Sequence, residues 1–201
     1  MLDENWKAGS GIIVIWHAMD KNGKIAFMLN NCFGGVPKQL LRKENLETRL
    51  DLLSEYVYEE SSVYSSYPEN KKGSFYLDYY SSFIHLRSAK LRKIKIKEDL
   101  INNLNMIYES RQKSSDLNLA INKGLFVYHA VEGTYEGEDT VVGYDGSTKM
   151  GDYYRFLVPT KYATIEDFPV ELRDLIAVSN TLDFTQDRIL DKNIDEYFEC
   201  D

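Results

Sequence analysis

Apolar and polar positions along this chain switch between a strand-like and a helix-like period, and the switches mark its elements. Residues 12–19 run Ile12, Ile13, Val14, Ile15, Trp16, His17, Ala18 and Met19, a β-branched and aromatic series that predicts an extended strand. Asn22-Gly23 tolerates the positive φ of a tight turn, so residues 24–30 are expected to return antiparallel to that strand. Phe33-Gly34-Gly35-Val36-Pro37 ends the hairpin, and Pro37 suits a helix start, where its missing N–H costs nothing. Leu46, Leu50, Leu53 and Val57 then recur at steps of four, three and four, which lines one helical face for packing on the hairpin.

From Glu59 to Gly73 the pattern dissolves into an exposed connection. Residues 74–86 fit either period: Leu77, Tyr80 and Ile84 match a helical face, while the aromatic and serine content leans toward extended structure. Helical spacing returns over 98–110 through Leu100, Leu104 and Ile107, and a short helix is expected over 115–123. After Gly124, residues 125–131 read as a strand. A polar loop follows over 132–139, then a short strand over 140–144, a turn at Asp145-Gly146 and a strand from Tyr153 that ends before Pro159. Asp167 or Thr164 can cap the turn leading to Pro169, and Phe168, Leu172, Leu175 and Ile176 form the next helical stripe. The pattern as a whole is α+β: an N-terminal hairpin and further strands forming a mainly antiparallel sheet, packed against several helices.

At 201 residues one core suffices, so a single domain over 1–201 is expected. Its segment 180–201 is acidic through Asp183, Asp187, Asp191, Asp195, Glu196, Glu199 and Asp201. It also carries Leu182, Phe184, Ile189, Leu190, Ile194, Tyr197 and Phe198, which predict docking on the domain. Thirty-two acidic residues against 24 Lys plus Arg give a net charge of −8, which repels nucleic acid and attracts basic partners. The one basic run, Arg87, Lys90, Arg92, Lys93, Lys95 and Lys97, reads first as a solvated face and second as an anion or acidic-partner site. The amino terminus lacks a signal-peptide pattern and no apolar stretch suits a membrane span, so a cytoplasmic location off the membrane is expected. Cys32 and Cys200 have no metal-ligand spacing.

Candidate chemistry is sparse, and neither a cofactor nor a metal is expected. His17, His85 and His129 form no close ligand cluster, and two of them fall in strands beside aromatics. The serines lack a nucleophile-elbow context, Cys32 reads as a small side chain at the hairpin exit, and Gly34-Gly35 lacks the flanks of a phosphate loop. The enzyme alternative is a small hydrolase built on His17 and His129 with Asp20, Asp78 or Glu132. The tyrosines say more. Tyr56, Tyr58, Tyr64, Tyr67, Tyr76, Tyr79 and Tyr80 crowd one stretch with Glu55, Glu59, Glu60 and Glu69 among them, a pairing of rigid rings and acids that suits a protein interface. The competing structural reading places about half of these rings in the core.

Two portions of the chain resemble small bacterial immunity proteins of polymorphic-toxin and contact-dependent inhibition loci. One is Asp20-Lys21-Asn22-Gly23-Lys24-Ile25-Ala26-Phe27 continued by Phe33-Gly34-Gly35-Val36-Pro37-Lys38. The other is Gly124-Leu125-Phe126-Val127-Tyr128-His129-Ala130 with Tyr153–Pro159 and Ile165–Leu172. The resemblance implies a cytoplasmic antidote that occludes or distorts a cognate toxin and needs no catalytic residues of its own. The leading expectation is therefore a protein-binding inhibitor of a basic partner, using Glu59, Glu60, Tyr64, Tyr67, Glu136, Glu138 and Asp139. A third reading, a structural or assembly module, would show a symmetric apolar interface between copies.

Overall fold

The computed structural model describes residues 2–9, 11–64, 71, 73–78, 93–111, 117–131, 148–191 and 193–198. Its first unit is the expected hairpin, β1 (Ile15–Met19) and β2 (Ile25–Leu29), paired antiparallel with Trp16 opposite Met28 and Ala18 opposite Ala26. Gly23 takes φ +78° at the turn, and its N–H bonds the Asp20 carbonyl at 2.9 Å. Asp20 completes the turn with its side chain, where Oδ1 accepts from the N–H groups of Asn22 and Lys24.

Beyond β2 the chain reverses through two successive left-handed residues, Asn31 at φ +43° and Cys32 at φ +68°. Buried Asn30 makes this bend affordable in hydrogen bonds: its Oδ1 accepts from the N–H groups of Val14 and Cys32. Gly34 is here for packing, because a Cβ would lie 2.6 Å from both the Tyr153 ring and the Ala130 Cβ. Pro37 caps a four-residue helix α1 (Lys38–Leu41) rather than the long helix, which starts anew after left-handed Asn45 as α2 (Leu46–Val57). The expected stripe is the buried face of α2, with Leu46, Leu50, Leu53 and Val57 all 4 % exposed or less.

The remaining elements are β3 (Phe75–Leu77), α3 (Lys97–Arg111), α4 (Leu117–Asn122), β4 (Phe126–Ala130), β5 (Tyr153–Pro159), β6 (Ile176–Val178) and β7 (Ile189–Leu190). They form a seven-stranded mixed sheet in the order β3-β5-β4-β2-β1-β6, with β7 also on β5. The sheet is mostly antiparallel: only β1–β6 and β2–β4 run parallel. This is the α+β architecture expected from the pattern.

Side-chain alternation gives the sheet two covered faces. His17 and Phe27 face the α2 side, where Phe168 and Tyr58 pack on them edge to face. Trp16, Phe126 and Tyr128 face the other side, where the C-terminal segment lays Phe198 on Trp16 and Phe184 on Phe126 and Tyr128. One apolar cluster runs from Leu2 to Phe198. The short strands β3 and β7 both bond the edge of β5 that β4 leaves open, meeting end to end along it.

Two expectations are corrected. The helix anticipated over Phe168–Ile176 is two 3-10 turns, Ile165–Asp167 and Val170–Leu175, and Ile176 already belongs to β6. Pro169 interrupts the turns, and β-branched Ile176 and Val178 pair in parallel with β1. Pro159 is the last residue of β5 rather than its stop, seated opposite Phe75 at the end of the ladder, where a missing donor is tolerated. Of the segment with two periods, Phe75–Leu77 is strand. Residues 79–86 lie outside the described residues, as do the strand and turn expected over 140–146.

Candidate functional site

The hydrolase set does not assemble. His17 and His129 share one face of the sheet, but β2 lies between their strands and His129 sits two residues beyond the position in register with His17. Strand spacing and rise put their backbones about 12 Å apart. Phe27 and Phe168 enclose His17, and neither ring nitrogen has a hydrogen-bond partner among the described residues. Burial pushes its pKa down to about 3. His129 lies beside Tyr154 and Phe156.

The uncharged His17 ring has a measurable consequence. The unfolded chain binds a proton near pH 6.5 and the folded chain only near 3, so this group removes stability as pH falls through that window. The slope is about 1.4 kcal/mol per pH unit at full effect. Urea unfolding at pH 7 and pH 5 should show His17→Leu losing less stability on acidification than the wild type. Equal losses would contradict the assignment.

Both described carboxylates of the set have structural work. Asp20 is 2 % exposed and closes the hairpin turn with Oδ1, while its Oδ2 accepts from the Phe184 N–H at 2.9 Å and anchors the C-terminal segment. Asp78 is buried between two guanidinium groups: Arg188 approaches both of its oxygens at 2.5 Å, and Arg155 Nη2 lies 3.3 Å from Oδ2. Arg155 Nη1 also donates to the Phe184 carbonyl at 2.7 Å. Beside this cluster the buried Tyr128 hydroxyl donates to the Asp187 carbonyl, and desolvation drives its pKa well upward, against the pull of Arg155. Glu132 and His85 lie outside the described residues. Among those residues no group of three or more His, Cys, Asp or Glu side chains is placed to hold a metal ion.

The interface set divides. Tyr64 is half-buried with its ring edge to face on Tyr56 at 5.9 Å, and its N–H bonds the Ser61 hydroxyl. Tyr56 is core, with its hydroxyl donating to the Asp167 carbonyl, while Tyr58 is half-buried and Tyr76 is 54 % exposed. Burial and the nearby Asp167 charge push the Tyr56 phenol up to about 12. Glu60 is exposed, but Glu59 is committed: its carboxylate accepts from Lys123 Nζ at 2.5 Å, and that lysine side chain is only 3 % exposed. Tyr67, Tyr79, Tyr80, Glu136, Glu138 and Asp139 lie outside the described residues.

Glu59 and Glu60 should therefore behave differently. Glu59→Gln leaves a buried ammonium without its carboxylate and should lower stability by about 1–2 kcal/mol, the buried-pair figure discounted for the solvent-facing acid. Glu60→Gln should stay within about 0.5 kcal/mol of wild type. Denaturant midpoints decide the matter, and equal midpoints for the two variants would refute the Lys123 pairing.

Two features escaped the sequence reading. Arg155 is the one charge in an otherwise apolar strand, Tyr153–Pro159, a pattern that by itself calls for a buried partner. The other is a groove of about 340 Å³ between α2 and the start of β1. Leu2, Ile13, Val14, Ile15 and Leu50 give it an apolar floor, and Glu47, Asp51 and Ser54 a polar wall. On α2, Glu47, Asp51 and Glu55 stand at successive steps of four and so lie in one line. Comparison with protein-family models, with curated proteins and with solved structures finds no match. Among the described residues no helix is long and apolar enough to cross a membrane.

Proposed function

We propose that the protein is a binding inhibitor of the immunity type, which grips a basic partner protein in the cytoplasm through an acidic face. The observation that carries this reading is the carboxylate pair Asp51 and Glu55 on α2, one step of four apart and in line with Glu47, with exposed Glu60 just beyond the helix end. Like charges at steps of four cost a helix a few tenths of a kcal/mol each, and a cationic partner relieves that cost. The net charge of −8 adds long-range steering toward such a partner. Asp20, Asp78 and Glu59 are held by internal contacts and Glu47 accepts from the Leu2 N–H, so Asp51, Glu55 and Glu60 form the proposed partner-facing set.

The test is capture from the native cell followed by mass spectrometry, repeated with the product of any adjacent gene. A stoichiometric basic partner is expected. Asp51→Lys with Glu60→Lys should slow its association about tenfold at low ionic strength, with the difference shrinking as salt rises. Unchanged association rates would remove the acidic face from the reading.

A further inference from the structure

We infer that the groove beside α2 is a strand-addition site, in which an extended partner segment of alternating basic and apolar residues pairs with the open edge at Ile15, the first residue of β1, and at Ile13 just before it. The inference deepens the proposed function, because it rests on the partner being basic and names how it is held.

The edge is defined by hydrogen-bond parity. Asn30 N–H bonds the Val14 carbonyl, and the Asn30 amide reaches the Val14 N–H and the Ile12 carbonyl. Even-numbered backbone groups here therefore face β2, and those of residues 13, 15, 17 and 19 face the opposite edge. β6 covers that edge only at His17–Met19, where Ser179 N–H bonds the Met19 carbonyl. On that side the N–H and C=O groups of Ile13 and Ile15 have no hydrogen bond among the described residues, and Ile13 is 63 % exposed. The outer edge of β6 is treated differently: the Gln39 side-chain amide accepts from the Val178 N–H at 2.6 Å and donates to its carbonyl at 3.3 Å, plugging the ladder. One edge of the sheet is blunted and its neighbour is left open, although unpaired edges invite pairing.

The groove selects the occupant. A strand added at Ile13 and Ile15 would project alternate side chains between β1 and α2, over Ile15 and Leu50 and toward Asp51. Lysine or arginine fits there best, its aliphatic stem on the apolar floor and its charge at the carboxylate wall. Asp51 is exposed and has no ion pair among the described residues. Two copies of this chain meeting edge to edge would bring their α2 acid lines together, so charge disfavours self-pairing.

The probe is a fluorescein-labelled octapeptide of alternating lysine and valine, titrated into the full chain by polarisation up to about 1 mM. Three controls accompany it: the same peptide N-methylated at alternate residues, a glutamate–valine analogue, and the variants Ile13→Pro and Asp51→Lys. Saturable binding is expected, weakened about tenfold or more by N-methylation, by Ile13→Pro and by the glutamate analogue, and several-fold by Asp51→Lys at low salt. The amides of Ile13 and Ile15 should gain hydrogen-exchange protection. N-methylation uses the unaltered protein, so it decides the matter even if Ile13→Pro perturbs folding. Absent binding, equal binding of the N-methylated peptide, or protection elsewhere would overturn the inference. A concentration-dependent dimer lost in Ile13→Pro would assign the edge to a second copy and overturn it as well. A captured native partner indifferent to Ile13→Pro would refute strand addition and leave the inhibitor reading standing.

Discussion

Asp78→Ala is expected to lower the unfolding free energy by about 3–5 kcal/mol, the usual cost of removing one member of a buried ionic group. The side chain is 2 % exposed and lies against two guanidiniums, of which Arg155 is 7 % exposed and Arg188 28 %. Without the carboxylate, two cations face each other in a site with little water. The site is also a seam, because Asp78 N–H bonds the Phe156 carbonyl and Arg155 N–H bonds the Arg188 carbonyl, so the carboxylate joins the end of β3 to the start of β7 along β5. Urea unfolding measures the effect, and a loss under about 1 kcal/mol would show that the cluster is not a stabilising tie. Should Asp78→Ala fail to fold, Arg188→Gln removes the more exposed cation and should cost less. In an Asp78→Ala background, Arg155→Met should recover part of the loss, as replacing buried charges with apolar groups of similar size has done elsewhere.

Trp16→Ala should cost a comparable amount, about 3–5 kcal/mol for a large aromatic lost from a packed core. Trp16 is fully buried, donates its indole N–H to the Tyr153 hydroxyl at 3.0 Å, and meets the rings of Tyr153 and Phe198 edge to face. The Tyr153 hydroxyl in turn donates to the Gly35 carbonyl, which links β1, β5 and the bend after β2 through one phenol. Burial raises that phenol's pKa far above the ordinary value, so it remains a donor throughout the physiological range. Trp16→Phe keeps a ring but loses the hydrogen bond, and should cost about 1–2 kcal/mol. Trp16→Ala should also become cleavable within 193–198 under limited proteolysis, because Phe198 loses its ring partner. Unchanged cleavage would mean that other contacts hold the C-terminal segment.

Much of the fold was legible where a single local rule decided the structure. The hairpin followed from a β-branched run and Asn-Gly, and α2 from its leucine spacing. Local rules failed where a distant partner settled the outcome. Leu172, Leu175 and Ile176 suit a helical face, yet β1 offered Ile176 a parallel neighbour that no local pattern reveals. Asp20, Asp78 and Glu59 looked available for chemistry or contact because their partners, Phe184, Arg188 and Lys123, stand 64 to 164 residues away in sequence. The open edge at Ile13 was hidden for the same reason: its vacancy depends on where β6 begins.

The joint of β3 and β7 on β5 also bears on how the chain is made. Residues 74–78 and 188–190 must meet on one strand, and Phe184 and Phe198 must cover Tyr128 and Trp16, before the second face of the sheet is dry. A ribosome that has released only the first 180 residues holds a half-covered sheet with its largest rings exposed to water. Native structure thus waits for the late-emerging acidic segment, and during that interval the nascent chain has its greatest need of a chaperone.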